Sequence, residues 1–154
     1  MKKTLILYSL LLVSFFIQIC FMRYAVWFPD LVLLIVVFTA VFHGVASGVL
    51  IGLAAGFLKG VFSGYTFPLE IVLFPAVAIG AFMMAGMLYR QSPVAQMLIA
   101  ALAILSVTAL QVLYLNTISG NDLGLTAALA NSWRAIIVTT MITPFVFYLL
   151  DNYT

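Results

Sequence analysis

Long apolar runs separated by short polar breaks fill this chain, and their spacing predicts six membrane-spanning helices. Lys2-Lys3 opens the first, a charge-free run from Thr4 to Met22. A basic start before an apolar core resembles a signal peptide, but the run exceeds the usual apolar core and no small-x-small site follows, so it reads as a retained helix. Ile17-Gln18-Ile19, before Cys20, also lacks the small residue that a lipoprotein site needs. Arg23-Tyr24-Ala25-Val26-Trp27-Phe28 has the charge and aromatics of an interfacial belt on the outer side. Pro29 suits the first turn of a second helix through Leu31–Phe38, and Asp30 complements the positive end of that helix's dipole.

No acid occurs from Leu31 to Phe62, yet one helix of that length would measure about 48 Å, well beyond a bilayer. A break is expected at Phe42-His43-Gly44. The alternative, one steeply tilted helix, would change the topology. Lys59 to Glu70 contains Ser63, Gly64, Tyr65, Thr66 and Pro68, a turn-rich exit from the membrane. A fourth helix follows from about Leu69 to Tyr89, kinked at Pro75. Arg90-Gln91-Ser92-Pro93 forms a loop, and a fifth helix covers Val94–Leu115. Asn116–Asn131 is polar, and a last helix runs from about Ala127 to Leu150, bent at Pro144. Trp133-Arg134 lies near one interface; Tyr148, Asp151 and Tyr153 lie near the other. Six helices, with Lys2-Lys3 inside, put both termini in the cytoplasm of a multi-pass membrane protein. The remaining charges do not decide the orientation: Lys2, Lys3 and Arg90 would be inside, and Arg23, Lys59 and Arg134 outside.

The third helix carries an unbroken i, i+4 row: Gly44, Gly48, Gly52, Gly56, Gly60 and Gly64. Such a row spans roughly 30 Å. Each glycine costs about 1 kcal/mol in helix propensity relative to alanine, and in lipid close approach of another backbone offsets that cost. The row drifts about 40° per step, so no single flat partner meets all of it. The segment therefore reads as a central helix with different neighbours at its two ends. Ala76, Ala78, Gly80, Ala81, Ala85 and Gly86 make the fourth helix its natural partner.

Composition sets the class. Of 154 residues, 66% are hydrophobic and 6% charged, against about 25% charged in soluble domains. The chain is read as one integral membrane domain over residues 1–154. A net charge of +2, scattered along the chain, suggests no nucleic-acid surface. Cys20 is the single cysteine, which excludes an internal disulfide and a cysteine-based metal site.

Catalytic motifs are absent: there is no G-x-S-x-G, no H-E-x-x-H and no paired aspartates, and His43 is the sole histidine. No catalytic, cofactor or metal site is expected. His43 has two readings, a pH-sensing group or a satisfied loop residue. Asp30, Glu70, Asp122 and Asp151 fall at predicted helix ends, where structural charges go. Lys59, four residues before the end of the glycine helix, is either functional at that depth or snorkels or pairs, with Glu70 the expected partner across the turn. Arg134, one turn from Asn131, has the same two readings. Neither resembles a proton relay.

Pro29-Asp30-Leu31-Val32-Leu33-Leu34, then Gly48, Gly52 and Gly56, then Gly60-Val61-Phe62-Ser63-Gly64-Tyr65-Thr66 resemble the rod-shape-determining MreD family. That family has a Pro-x-hydrophobic second helix, a glycine-spaced third helix and an S-G-x-x-L-G turn. Here the turn ends in Phe67-Pro68, and Lys59 stands where the family commonly has an aspartate. The resemblance implies Pro29, Asp30, Ser63 and Gly64 as motif residues. It implies an all-α polytopic helix bundle similar to the substrate-binding membrane subunits of energy-coupling-factor transporters. It also implies a non-enzymatic inner-membrane subunit that works with MreC, MreB and the RodA/PBP2 peptidoglycan synthase, with a bound lipid as a further candidate partner. The alternative, a vitamin-binding transporter subunit, would dock through an A-x-x-x-A motif on the first helix. Leu5-Ile6-Leu7-Tyr8-Ser9-Leu10-Leu11-Leu12-Val13 contains no alanine.

Overall fold

A computed structural model of the chain describes residues 2–22, 29–63, 66–88, 92–119 and 125–153. Six helices form it: α1 (Lys2–Met22), α2 (Leu31–His43), α3 (Val45–Ser63), α4 (Phe67–Met87), α5 (Pro93–Ser119) and α6 (Leu125–Tyr153). No strand occurs among the described residues. Val45–Phe62, Phe67–Met87 and Pro93–Ile118 are long and apolar enough to cross a membrane; Ile6–Cys20, Leu31–His43 and Ile136–Asn152 are shorter apolar helical stretches.

The break comes where the length argument places it. Gly44 has φ +93° and ψ 166°, a backbone conformation open essentially to glycine alone, and it separates α2 from α3 with no intervening loop. The two helices fold back on each other as an antiparallel pair. Pro29 lies just outside the helix instead of in its first turn. Asp30 is the N-cap, and its Oδ1 accepts from the Leu33 amide at 3.1 Å. The interfacial belt expected at Arg23–Phe28 lies outside the described residues.

The central helix is α2, a correction to the reading that centres the bundle on the glycine helix. Every residue from Val32 to Val41 is buried, and α2 packs on all five other helices. A helix apolar on all sides is one that can be enclosed, and Thr39, its one polar interior residue, bonds back to the Ile35 carbonyl at 2.7 Å. By contrast, α3 buries only its glycine side. Leu50, Leu53, Phe57, Val61 and Phe62 on its other side are exposed, a face suited to lipid.

The row does meet different neighbours along its length. A methyl group added at Gly48 would stand 2.7 Å from the Ala40 Cα of α2. At Gly52 it would stand 3.1 Å from the Phe74-Pro75 peptide, at Gly56 it would collide with the Glu70 carbonyl oxygen, and at Gly60 it would meet Phe67. Three of these contacts are with α4, the expected partner, but not through its small residues. Gly80 and Gly86 have nothing near the position of a Cβ, and the glycines of α3 instead admit the backbone of α4's first half. Gly44 serves the turn and not the packing, and Gly64 lies outside the described residues.

At the other end of α2, Phe38, Phe42 and Phe147 form an aromatic cluster, with the Phe38 ring 4.9 Å from Phe42 and 5.3 Å from Phe147, which ties α2 to α6. His43 sits beside this cluster, 5.6 Å from the Phe38 ring.

Candidate functional site

The antiparallel turn at Gly44 returns the last part of α3 to the N-terminus of α2. Lys59 Nζ donates to Asp30 Oδ2 at 2.5 Å, and both side chains are about a fifth exposed. The same ammonium lies 5.2 Å from the centre of the Phe74 ring on α4. Asp30 is saturated from several directions: Oδ1 takes the Leu33 amide and, at 3.4 Å, Gln18 Nε2 of α1, while the Asp30 amide donates to Thr139 Oγ1 at 3.2 Å. Thus one residue joins four helices, its carboxylate holding α1, α2 and α3 and its backbone amide holding α6. Thr139 stands halfway along α6, so the cluster lies well below that helix's start, roughly 21 Å along it from Leu125.

This arrangement corrects the pairing expected across the turn. Glu70 is 3% exposed and turns toward α5, where Gln111 Nε2 donates to its Oε1 at 2.7 Å; Thr66 Oγ1 donates to the same oxygen at 3.4 Å. Lys59 chooses Asp30 because the α2–α3 register sets the two at one level. Glu70, one turn into α4, belongs to a second polar cluster on its own side of the bundle.

The remaining candidates stand apart. Arg134 and Trp133 are exposed on α6, with the guanidinium 5.5 Å from the indole centre. Ser63 ends α3, and its side chain, like that of Asn131, lies outside the described ones, as do Gly64 and Asp122. Among the described residues no group of His, Cys, Asp and Glu could hold a metal ion. Gln18, Gln111 and Thr139 were not singled out in the sequence. An amide within an apolar run was a signal that could have found Gln18; Thr139 is one of four threonines on α6, and nothing in the sequence sets it apart from the others.

In chemical terms the two clusters fasten helices: each charge finds an opposite charge or an amide on a different element. A family model described as rod shape-determining protein MreD matches residues 1–153. The chain belongs to this family. No curated protein and no solved structure matches it. It is therefore a rod shape-determining membrane protein, in which Asp30 caps the enclosed helix α2 and Gly48, Gly52, Gly56 and Gly60 let α3 approach α2 and α4 closely.

Proposed function

We propose that this MreD-family chain is a non-enzymatic scaffold subunit of the bacterial cell-elongation machinery. It forms one inner-membrane domain with both termini in the cytoplasm, binds an MreC-like protein, and through it serves MreB and the RodA/PBP2 synthase. The observation that carries this reading is how the intramembrane polar groups are used. Gln18, Asp30, Lys59 and Thr139 lock four helices together, and Glu70 with Gln111 locks α4 to α5. Intramembrane ionisable groups commonly mark transport or relay paths, whereas a scaffold needs them only to hold one shape for a partner. The family membership supplies the setting.

The test is co-purification from native membranes in mild detergent, with the bound proteins identified. Recovery of an MreC-like protein is the expected outcome; recovery of an ATPase together with a small vitamin contradicts it.

A further inference from the structure

Glu70 is the only glutamate in the chain, and it is buried where a charge is hard to balance. Its helix, α4, packs on α2, α3 and α5, and these three supply few counter-charges. On α3 there is Lys59 alone; α5 has no acid or base, only the phenol of Tyr114; α2 has His43, at the end far from its cap Asp30. Among the described residues, Lys59 and Asp30 are the charges whose fields reach Glu70. The Lys59 ammonium lies over Phe74, one turn beyond Glu70 on α4, yet its ion pair is with Asp30. One cation therefore serves two carboxyl groups and touches one of them. The hydrogen bonds of Glu70 are equally one-sided. Gln111 Nε2 and Thr66 Oγ1 both donate to Oε1, whereas Oε2 is enclosed and receives no donor from the described residues. An ionised carboxylate spreads its charge over two oxygens and needs donors at both, so this site would leave half of it bare. A neutral acid is itself asymmetric, with a carbonyl that accepts and a hydroxyl that carries the proton. Enclosing a bare hydroxyl costs less than enclosing a bare ionised oxygen.

We propose that Glu70 is a proton-binding site, occupied at neutral pH, with Oε1 as the carbonyl and Oε2 as the hydroxyl of a neutral acid, and that the Asp30–Lys59 pair keeps it occupied by withholding the cation within reach. The ligand is a proton taken from water, which forms one O–H bond at Oε2 and discharges the carboxylate. No larger group is needed, and an enclosed oxygen admits none. With that proton in place the three side chains sum to zero charge, Lys59 cancelling Asp30. Without it, two carboxylates would compete for one ammonium. Asp30 and Glu70 are therefore coupled through Lys59: removing the charge of Asp30 releases Lys59 to Glu70, which then gives up its proton. The inference is independent of the protein partners proposed above and survives or fails without them.

The test uses the single glutamate. The full chain is made by cell-free synthesis with carbon-13 at the glutamate side-chain carboxyl, so that the label reports Glu70 alone, then reconstituted in phosphatidylcholine vesicles and read by infrared spectroscopy at neutral pH. The parent should show the labelled carbonyl stretch of a protonated acid and no labelled carboxylate stretch. In Gln111→Leu that band should move to higher frequency, because Oε1 loses its shorter hydrogen bond, and should remain a protonated-acid band. In Asp30→Asn it should give way to the carboxylate stretch, whereas in Lys59→Met it should persist. A labelled carboxylate stretch in the parent overturns the proposal, and an enclosed water donating to Oε2 of an ionised Glu70 would give that result. This first measurement depends on no variant. A protonated-acid band that persists in folded Asp30→Asn overturns the coupling through Lys59, and a band that Gln111→Leu leaves in place overturns the assignment of Oε1 as the carbonyl.

Discussion

Lys59 and Asp30, distant in sequence, meet at 2.5 Å because α2 and α3 reverse at one glycine, and the carboxylate that receives the ammonium is also the N-cap of the enclosed helix. One aspartate therefore performs two tasks. It fixes the start of α2, and it neutralises a charge that would otherwise cost at least about 2.5 kcal/mol near the membrane interior.

Removing one partner should accordingly be worse than removing both. Asp30→Asn keeps a capping side chain but loses the charge, and Lys59→Met keeps the stem but loses the ammonium. Each single change should lower unfolding stability in detergent by about 3 kcal/mol, and the double variant should recover much of that loss. Glu70→Gln should not rescue Lys59→Met. A rescue by Glu70→Gln, and none by Asp30→Asn, would return the pairing to the turn between α3 and α4.

The glycines divide into packing, turning and idle positions. Gly52→Leu and Gly56→Leu should abolish the folded state or its assembly, because the added side chain meets the α4 backbone, while Leu53→Ala, on the exposed face, should change stability little. Gly80→Ala should be neutral or gain up to about 1 kcal/mol, since nothing stands near its Cβ. Folded yield by fluorescence-detected size exclusion ranks the four variants, and equal yields would remove the basis for the α3–α4 assignment.

Gly44 is a separate case, having space but no conformational freedom to lose. Gly44→Ala should lower stability by about 1–3 kcal/mol through backbone strain alone, with the α3–α4 interface intact. Thermal unfolding that matches the parent would show that the α2–α3 turn relaxes easily.

Gln111→Leu should strip the 3%-exposed Glu70 of its shorter hydrogen bond and cost about 1 kcal/mol, and Glu70→Leu combined with Gln111→Leu should cost less than the sum of the two single changes. A double-mutant cycle in detergent reads the coupling directly. Strict additivity would mean that the two side chains do not depend on each other.

Much of this architecture is legible in the sequence because a bilayer fixes length. The run from Leu31 to Phe62 had to break, and it breaks at His43-Gly44; the polar interruptions separate the other helices to within a few residues of their ends. The glycine row revealed close packing and a change of partner along α3, because backbone approach is what glycine permits. What it could not reveal is which helix is enclosed. Apolar residues face lipid and protein alike in a membrane, so the hydrophobicity of Leu31–Val41 does not by itself mark the centre. The Asp30–Lys59 pair was hidden for a different reason. It depends on the register of two antiparallel helices, whereas Glu70 looked nearer because it follows the next turn. The small residues in α4 were a mixed signal: α4 is the partner of the row and Ala78, Ala81 and Ala85 are buried, but Gly80 and Gly86 face outward, and Glu70, Phe74 and Phe67 meet the glycines.

The central claim, that this bundle holds a fixed shape in service of cell elongation, is tested most directly by cell shape. In a rod-shaped bacterium depleted of its own MreD, the width and length of cells expressing this chain are measured beside cells expressing Gly56→Leu and the Asp30→Asn/Lys59→Met double variant. The parent chain should restore rods, the double variant should restore them in proportion to its folded amount, and Gly56→Leu should leave the cells round. Round cells despite abundant, folded, membrane-inserted parent chain would contradict the account.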